Sequence, residues 1–242
     1  MNTATPAPHI RFFRKADRAT VRALCADTGF LGNPIDPVFE DRELFADYLT
    51  AYYTDWEPES TLVLEIDNHI CGYLTGCRHP HRKKLYEMLH GLMWVLKGIA
   101  RYFFKPYSPT SKKYVRWILS SARKETPAAP PNTPHFHINL LPHARNVANT
   151  RRLIDTFLNY LAGCGEKAVY GQVVTFENRR SPRTFARYGF EVVDEREVTK
   201  YRDFTGQKVY LYTIIKDLTR NTSLYGLDLK QELESQNDFA AS

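Results

Sequence analysis

His135, His137 and Asn139 occupy alternate positions in the run HFHINLLP. An extended strand has a side-chain period of two. These three residues therefore share one face, and Phe136, Ile138 and Leu140 share the other. Two roles suit a histidine in that setting: it takes a proton from a reacting group, or it sits as a hydrogen-bonded interior residue. Glu177, at the mouth of the next apolar run, is a second candidate base. Shortly after the histidine strand comes Arg145-Asn146-Val147-Ala148-Asn149-Thr150, followed by Arg151 and Arg152. Where a strand passes into a helix N-terminus, successive backbone N–H groups converge on an anion and the helix dipole assists. The arginines add positive charge, and a pyrophosphate suits such a loop. An ordinary strand-to-helix connection that binds nothing has the same outline.

The elements that must position these residues follow from periodicity. Residues 9–13 read as a strand, and Asp17 caps a helix running to about 27. A second helix starts near Asp41, with Leu44, Phe45, Tyr48, Leu49 and Tyr52 along one side. Residues 61–66 and 69–76 form a hairpin turning at Asp67-Asn68. Residues 126–134, with four prolines, read as a linker. Then come a strand at 135–141, a helix at 149–162, a strand at 168–175 and a short helix at 181–188 ended by Gly189. Two strands, 190–201 and 208–215, meet around Thr205-Gly206. The expected organisation is a loose end at 1–8, one domain over 9–218 with a basic helical insertion at 82–134, and a polar tail at 219–242. The order β, α, α, β, β, insertion, β, α, β, α, β, β implies an α+β (mixed α/β) chain with a mixed sheet.

Composition narrows the partners. The 242 residues are 43% hydrophobic and 25% charged, with a formal net charge of +6. A basic balance suits nucleic acid, an anionic membrane or a phosphorylated cofactor. No nucleic-acid module is recognisable, which sets the first aside. The four cysteines show no CxxC spacing, and neither a signal peptide nor an apolar membrane span is visible. A reduced, cytoplasmic protein is the expectation. His79, His81 and Cys77 lack a second cluster to complete a ligand set, so no metal site is expected.

Pro142, Arg145, Ala148, Thr150, Leu153 and Ile154 stand in register with the cofactor-binding motif of the GNAT acetyltransferases, which this stretch resembles. Downstream, Asn178, Phe185 and Gly189-Phe190 match the family's Asn, aromatic and Gly-Phe positions. The resemblance covers about 9–80 and 135–216 as topology and 135–190 as motif. The wording HFHINLLP is also similar to bacterial GNAT-like proteins related to the acetyltransferase-like region of O-GlcNAc hydrolases.

The resemblance implies a GNAT acyl-CoA N-acyltransferase fold: a central, mostly antiparallel mixed sheet flanked by helices. It implies that strands 135–141 and 168–175 splay apart and that acetyl-CoA lies between them. Backbone groups at Leu140 and Leu141 would pair with the pantetheine. Arg145 and the amides of Asn146, Val147, Ala148, Asn149, Thr150 and Arg151 would take the pyrophosphate. Asn178 and Phe185 would flank the pantetheine arm, and His137 or Glu177 would accept the amine proton. The sequence departs from the family where Ala148 and Thr150 replace glycines, and where Phe185 replaces a tyrosine able to protonate the leaving thiolate. A cofactor-binding or interaction module without catalysis is therefore one alternative to an N-acetyltransferase, and a membrane- or partner-docking protein led by the basic insertion is the other.

Two charged segments complete the picture. Residues 36–59 hold eight acids and one base, Arg42. They read either as a rim favouring a cationic amine acceptor or as a solvated helix face. Residues 82–124 hold eleven Lys or Arg and one acid, Glu87. There Leu85, Met88, Leu89, Leu92, Leu96, Ile99 and Phe103 form a helical stripe, near Trp94 and Trp117. That pattern suits a peripheral membrane contact, a homodimer, or packing on the domain itself.

Overall fold

A computed structural model describes residues 8–177 and 185–219. Asn178, the start of the 181–188 helix and most of both expected loose ends lie outside the described residues. Strand β1 (His9–Phe12) leads into helices α1 (Arg18–Thr28) and α2 (Arg42–Ala51). Strands β2 (Thr61–Ile66) and β3 (His69–Cys77) form the expected hairpin. Asp67 and Asn68 both have positive φ (53° and 60°), as a two-residue turn between twisted strands demands. The insertion is three helices, α3 (Pro80–Phe104), α4 (Pro109–Ser120) and α5 (Ala122–Glu125). Then follow β4 (His135–Leu140), α6 (Val147–Gly163), β5 (Ala168–Phe176), β6 (Glu191–Glu197) and β7 (Val209–Asp217).

The seven strands form one sheet in the order β1-β2-β3-β4-β5-β7-β6. Every neighbouring pair is antiparallel except β4 and β5, which are parallel. This is the mixed, mostly antiparallel sheet the sequence implied. Strand alternation sends Leu62, Leu64, Leu74, Phe136 and Leu140 to one face, where α6 buries Leu153, Phe157, Leu158 and Leu161 against them. On the other face Val63 and Tyr73 meet Val21, Leu24 and Cys25 of α1 and Phe45 and Ala46 of α2. The apolar side of each helix thus fixes which sheet face the histidines of β4 occupy.

Several expectations need correction. Asp17 does not cap α1: its carboxylate accepts from Arg11 at 2.7 and 3.0 Å and from the Arg14 N–H at 2.7 Å, tying β1 to the following turn. Helix α6 starts two residues early because Asn146 caps it, accepting the Asn149 N–H at 2.8 Å. The expected 190–201 strand ends at Glu197. A single 3-10 turn and a short helix, closed by Gly206 at φ 59°, carry the chain to β7.

The acidic segment is ion-paired along most of its length, while Asp36, Glu40, Glu43, Asp55 and Glu59 stay exposed. Asp47 pairs with Arg22 and with Lys97 of α3. Asp55 pairs with Arg18, Asp36 with Arg42, and Glu59 with Arg82. Asp41 is buried and receives Arg101 at 2.5 Å, Lys105 at 3.3 Å and the Tyr107 hydroxyl at 2.6 Å, while capping α2 through the Leu44 N–H. Glu40 accepts the Ser108 N–H at 2.9 Å. Opposite charge therefore docks the insertion onto the acidic front. The apolar stripe of α3 does not pack on the domain, because the helix turns Tyr86, Lys97 and Arg101 inward and leaves the stripe in solvent.

Candidate active site

The parallel pairing of β4 and β5 is short. His135 opposes Tyr170, Phe136 opposes Gly171, and there the pairing ends. Both strands continue. β4 stays on β3 as far as Leu140, opposite Gly72, and β5 stays on β7 as far as Phe176, opposite Val209. The sheet therefore opens into a V whose arms are residues 137–140 and 172–176. Gly171 allows the vertex: a side chain there would press on the Phe136 ring. Beyond the open end of β4, the Leu141 N–H is held by the Cys71 carbonyl at 2.9 Å, and helix α6 begins at Val147.

The N-terminus of α6 is partly committed to its own cap. The Asn149 N–H goes to the Asn146 side chain, and the Thr150 N–H goes to the Asn146 carbonyl at 3.1 Å. The first amides of a helix, those of Val147 and Ala148 here, have no intrahelical carbonyl to meet and point outward. Both residues are exposed, as are Arg151 and Arg152. Ala148 and Thr150 lie within the helix and neither has positive φ, so glycine is not required at either place. The Thr150 hydroxyl turns back to the Asn146 carbonyl at 2.8 Å. A diphosphate can meet the Val147 and Ala148 amides without displacing any bond just described.

No family model and no curated protein matches the chain. Solved structures do. The crystal structure of SsHAT is 26% identical with a TM-score of 0.59, over 88% of this chain and 99% of that one. The structure of yncA from Salmonella typhimurium with its cofactor acetyl-CoA is 16% identical with a TM-score of 0.51, over 90% and 97%. The polyamine N-acetyltransferase of Drosophila melanogaster is 11% identical with a TM-score of 0.53, over 87% and 100%. The chain has the GNAT fold.

Within the GNAT fold, His137 is the first residue beyond the last β4–β5 pair, on the face shared with His135 and Asn139. Asn139 donates to the Tyr73 hydroxyl at 2.8 Å and is a brace. His135 is buried, with Nε2 3.0 Å from the Tyr53 hydroxyl. Burial holds His135 well below 6.5 and raises Tyr53 well above 10. The phenol therefore stays un-ionised and the imidazole neutral, and the two share one hydrogen bond whose donor is set by the imidazole tautomer. His137 is exposed to solvent at the mouth of the V, with the Tyr53 ring at 5.8 Å and the His135 ring at 5.6 Å. The surrounding protein, and then the charge of Lys83, lower its pKa. It is neutral at physiological pH and has a lone pair for a proton, as a weaker base than a free imidazole.

Glu177 stands elsewhere. It is exposed at the end of β5, its N–H bonded to the Lys208 carbonyl at 3.1 Å. It lies six steps along the strand from Gly171 at the vertex, about 20 Å at ~3.3 Å per residue. His137 and Glu177 are not brought together. The Arg145 guanidinium reaches back to the Leu140 carbonyl at 3.4 Å and to the Gly32 carbonyl, so it braces the loop. Asn149 is buried, its amide donating to the Ala144 carbonyl at 2.9 Å. Phe185 lies in the core with its ring 5.9 Å from Tyr212.

Three residues escaped the sequence reading. Tyr53 enters the site because the end of α2 widens into a π turn, Tyr52–Trp56, which rotates the chain out of the 3.6-residue register. Lys83 comes from the first turn of the insertion and stands 5.7 Å from the Tyr52 and Tyr53 ring centres. Glu57, counted among surface acids, is closed to solvent. It accepts from the Tyr52 hydroxyl at 2.5 Å, the Ser60 hydroxyl at 2.7 Å and the Arg78 N–H at 2.5 Å. It anchors the π turn to the start of the insertion.

Proposed function

We propose that this chain is an N-acyltransferase that passes an acetyl group from acetyl-CoA directly to an amine. The observation that carries the reading is the V between β4 and β5, with a neutral histidine at its vertex and outward helix amides beyond its open end. The pantetheine would lie along the open edge of residues 138–140, and the diphosphate would meet the Val147 and Ala148 amides, with Arg151 and Arg152 adding charge. The amine nitrogen attacks the thioester carbonyl carbon, the carbon–sulfur bond breaks, and His137 takes the proton the amine loses. Phe185 has no proton to give, so the thiolate leaves as the anion and is protonated by water. Holding amine and thioester together supplies much of the rate, and the base adds on the order of 100-fold.

Several acids of residues 36–59 are engaged by Arg18, Arg22, Arg42 and the insertion, which weakens but does not abolish the pull of this front on a cationic acceptor. The acceptor class is an amine, without assigned charge. A second reading, a coenzyme A-binding module without turnover, is favoured by the burial of Phe185 where the family has its acid.

Calorimetry with acetyl-CoA followed by free-thiol release over a panel of amines tests both readings. Binding with thiol release is expected. His137→Ala should lower turnover about 100-fold while leaving acetyl-CoA affinity within about threefold. Glu177→Gln should leave turnover unchanged. Binding without release on any amine selects the module. Absence of binding rejects both.

A further inference from the structure

The outward face of α3 is apolar from Leu85 to Phe103. Leu85, Leu89, Leu92, Leu96, Ile99 and Phe103 are between 45% and 75% exposed. Their spacing is four, three, four, three, four, a period of 3.5 residues, which is that of a helix seam facing another helix. With Met88 and Val95 beside them, eight large apolar side chains stand exposed on one face. A contiguous apolar face of that extent marks an interaction site rather than an ordinary monomer surface.

The distribution of charge selects the partner. A helix lying on a bilayer carries its cations beside the apolar face, where they reach headgroups. Between Glu87 and Lys105 the only charges on α3 are Lys97 and Arg101, and both turn away from that face to Asp47 and Asp41. No helix among the described residues is long and apolar enough to cross a membrane. An uncharged seam of heptad period fits a second seam of the same kind.

We propose that two copies of this chain pair through α3, antiparallel, about a two-fold axis beside residue 94. In that register Leu85 meets Phe103 of the second copy, Leu89 meets Ile99 and Leu92 meets Leu96, so each d-type position packs on an a-type one. A parallel pair would set the two Arg82-Lys83-Lys84 clusters side by side. The antiparallel pair separates them along the axis by twice the eleven residues from Lys83 to residue 94, about 33 Å at ~1.5 Å per residue, well beyond the screening distance.

Analytical ultracentrifugation of the full chain should show a dimer at tens of micromolar. Leu92→Glu with Leu96→Glu should weaken it by about 100-fold while the near-ultraviolet circular dichroism is unchanged, because both residues are exposed. In a Cys164→Ser background, which removes the exposed native thiol, oxidation of a mixture of Leu85→Cys and Phe103→Cys chains should give the mixed disulfide dimer. Neither chain alone should give its own. A monomer at every concentration, self-crosslinking of Leu85→Cys, or binding of the monomer to phosphatidylserine vesicles with loss in the double variant would each overturn the proposal.

Discussion

The Tyr53 hydroxyl lies 3.0 Å from Nε2 of His135, and the edge of the same ring faces His137 at 5.8 Å. One aromatic side chain thus satisfies the buried imidazole and walls the open one. Tyr53→Phe keeps the wall and leaves the His135 nitrogen without its hydrogen-bond partner. A loss of about 1–3 kcal/mol in stability is expected from chemical denaturation. Thiol release should fall less than tenfold, against about 100-fold for His137→Ala. Equal losses of turnover in the two variants would move the proton acceptor from His137 to the Tyr53–His135 pair.

Stability should decline in mild acid. Burial, then the neighbouring charges, hold His135 well below 6.5, and the surrounding protein and Lys83 lower the more exposed His137 as well, whereas histidines of the unfolded chain titrate near ~6.5. Between those values the unfolded chain binds more protons, so stability rises with pH across the window and falls as pH drops through it. Urea midpoints at pH 7, 6 and 5 should decrease in that order. His137→Asn should flatten the slope. Parallel profiles for the two proteins would show that His137 is not held neutral by the fold.

Glu57→Gln tests the buried carboxylate. All the groups around it are donors: two hydroxyls and the Arg78 and His79 N–H groups. A glutamine would turn its own N–H₂ toward one of them. A loss of about 2–4 kcal/mol is expected from the missing charge-assisted bonds. Thermal unfolding should show it, and Glu59→Gln, on the surface, serves as the control with little change.

Asp41→Asn should loosen the insertion. Burial alone would raise the Asp41 pKa, but hydrogen bonds from Tyr107, the Leu44 N–H and Arg101 outweigh it and hold it low. The carboxylate is therefore charged when it receives Arg101 and Lys105. Asparagine can still cap α2 but cannot neutralise the two cations, and breaking such a buried pair costs about 3 kcal/mol. Hydrogen exchange should quicken across residues 97–107 while β2 and β3 stay protected. Uniform acceleration over the whole chain would instead mark Asp41 as a global support.

Much of the sheet was legible from residue order. Alternation at His135–Leu140 and the Asp67-Asn68 turn carry their own geometry, and each strand boundary moved by two residues or fewer except at 190–201. The anion loop was legible as a motif, but the division of labour within it was not. Arg145 and Asn149 look like ligands in sequence, and the fold uses both as braces. Tyr53, Lys83 and Glu57 were hidden for one reason: their environment is made by a π turn and by a charged insertion docking over it. Helical periodicity cannot register an extra residue in a turn. An acidic count likewise cannot tell a carboxylate in water from one enclosed by four donors.

Two residue pairs, His135–Tyr170 and Phe136–Gly171, join a four-stranded leaf to a three-stranded one. Past them each leaf presents a bare backbone edge to the other, an interior seam with the hydrogen-bonding appetite of a sheet margin. Whatever extended molecule fills it becomes a surrogate strand, riveting the leaves together. Its arrival should raise amide protection on both leaves at once, along residues 138–140 and 172–174.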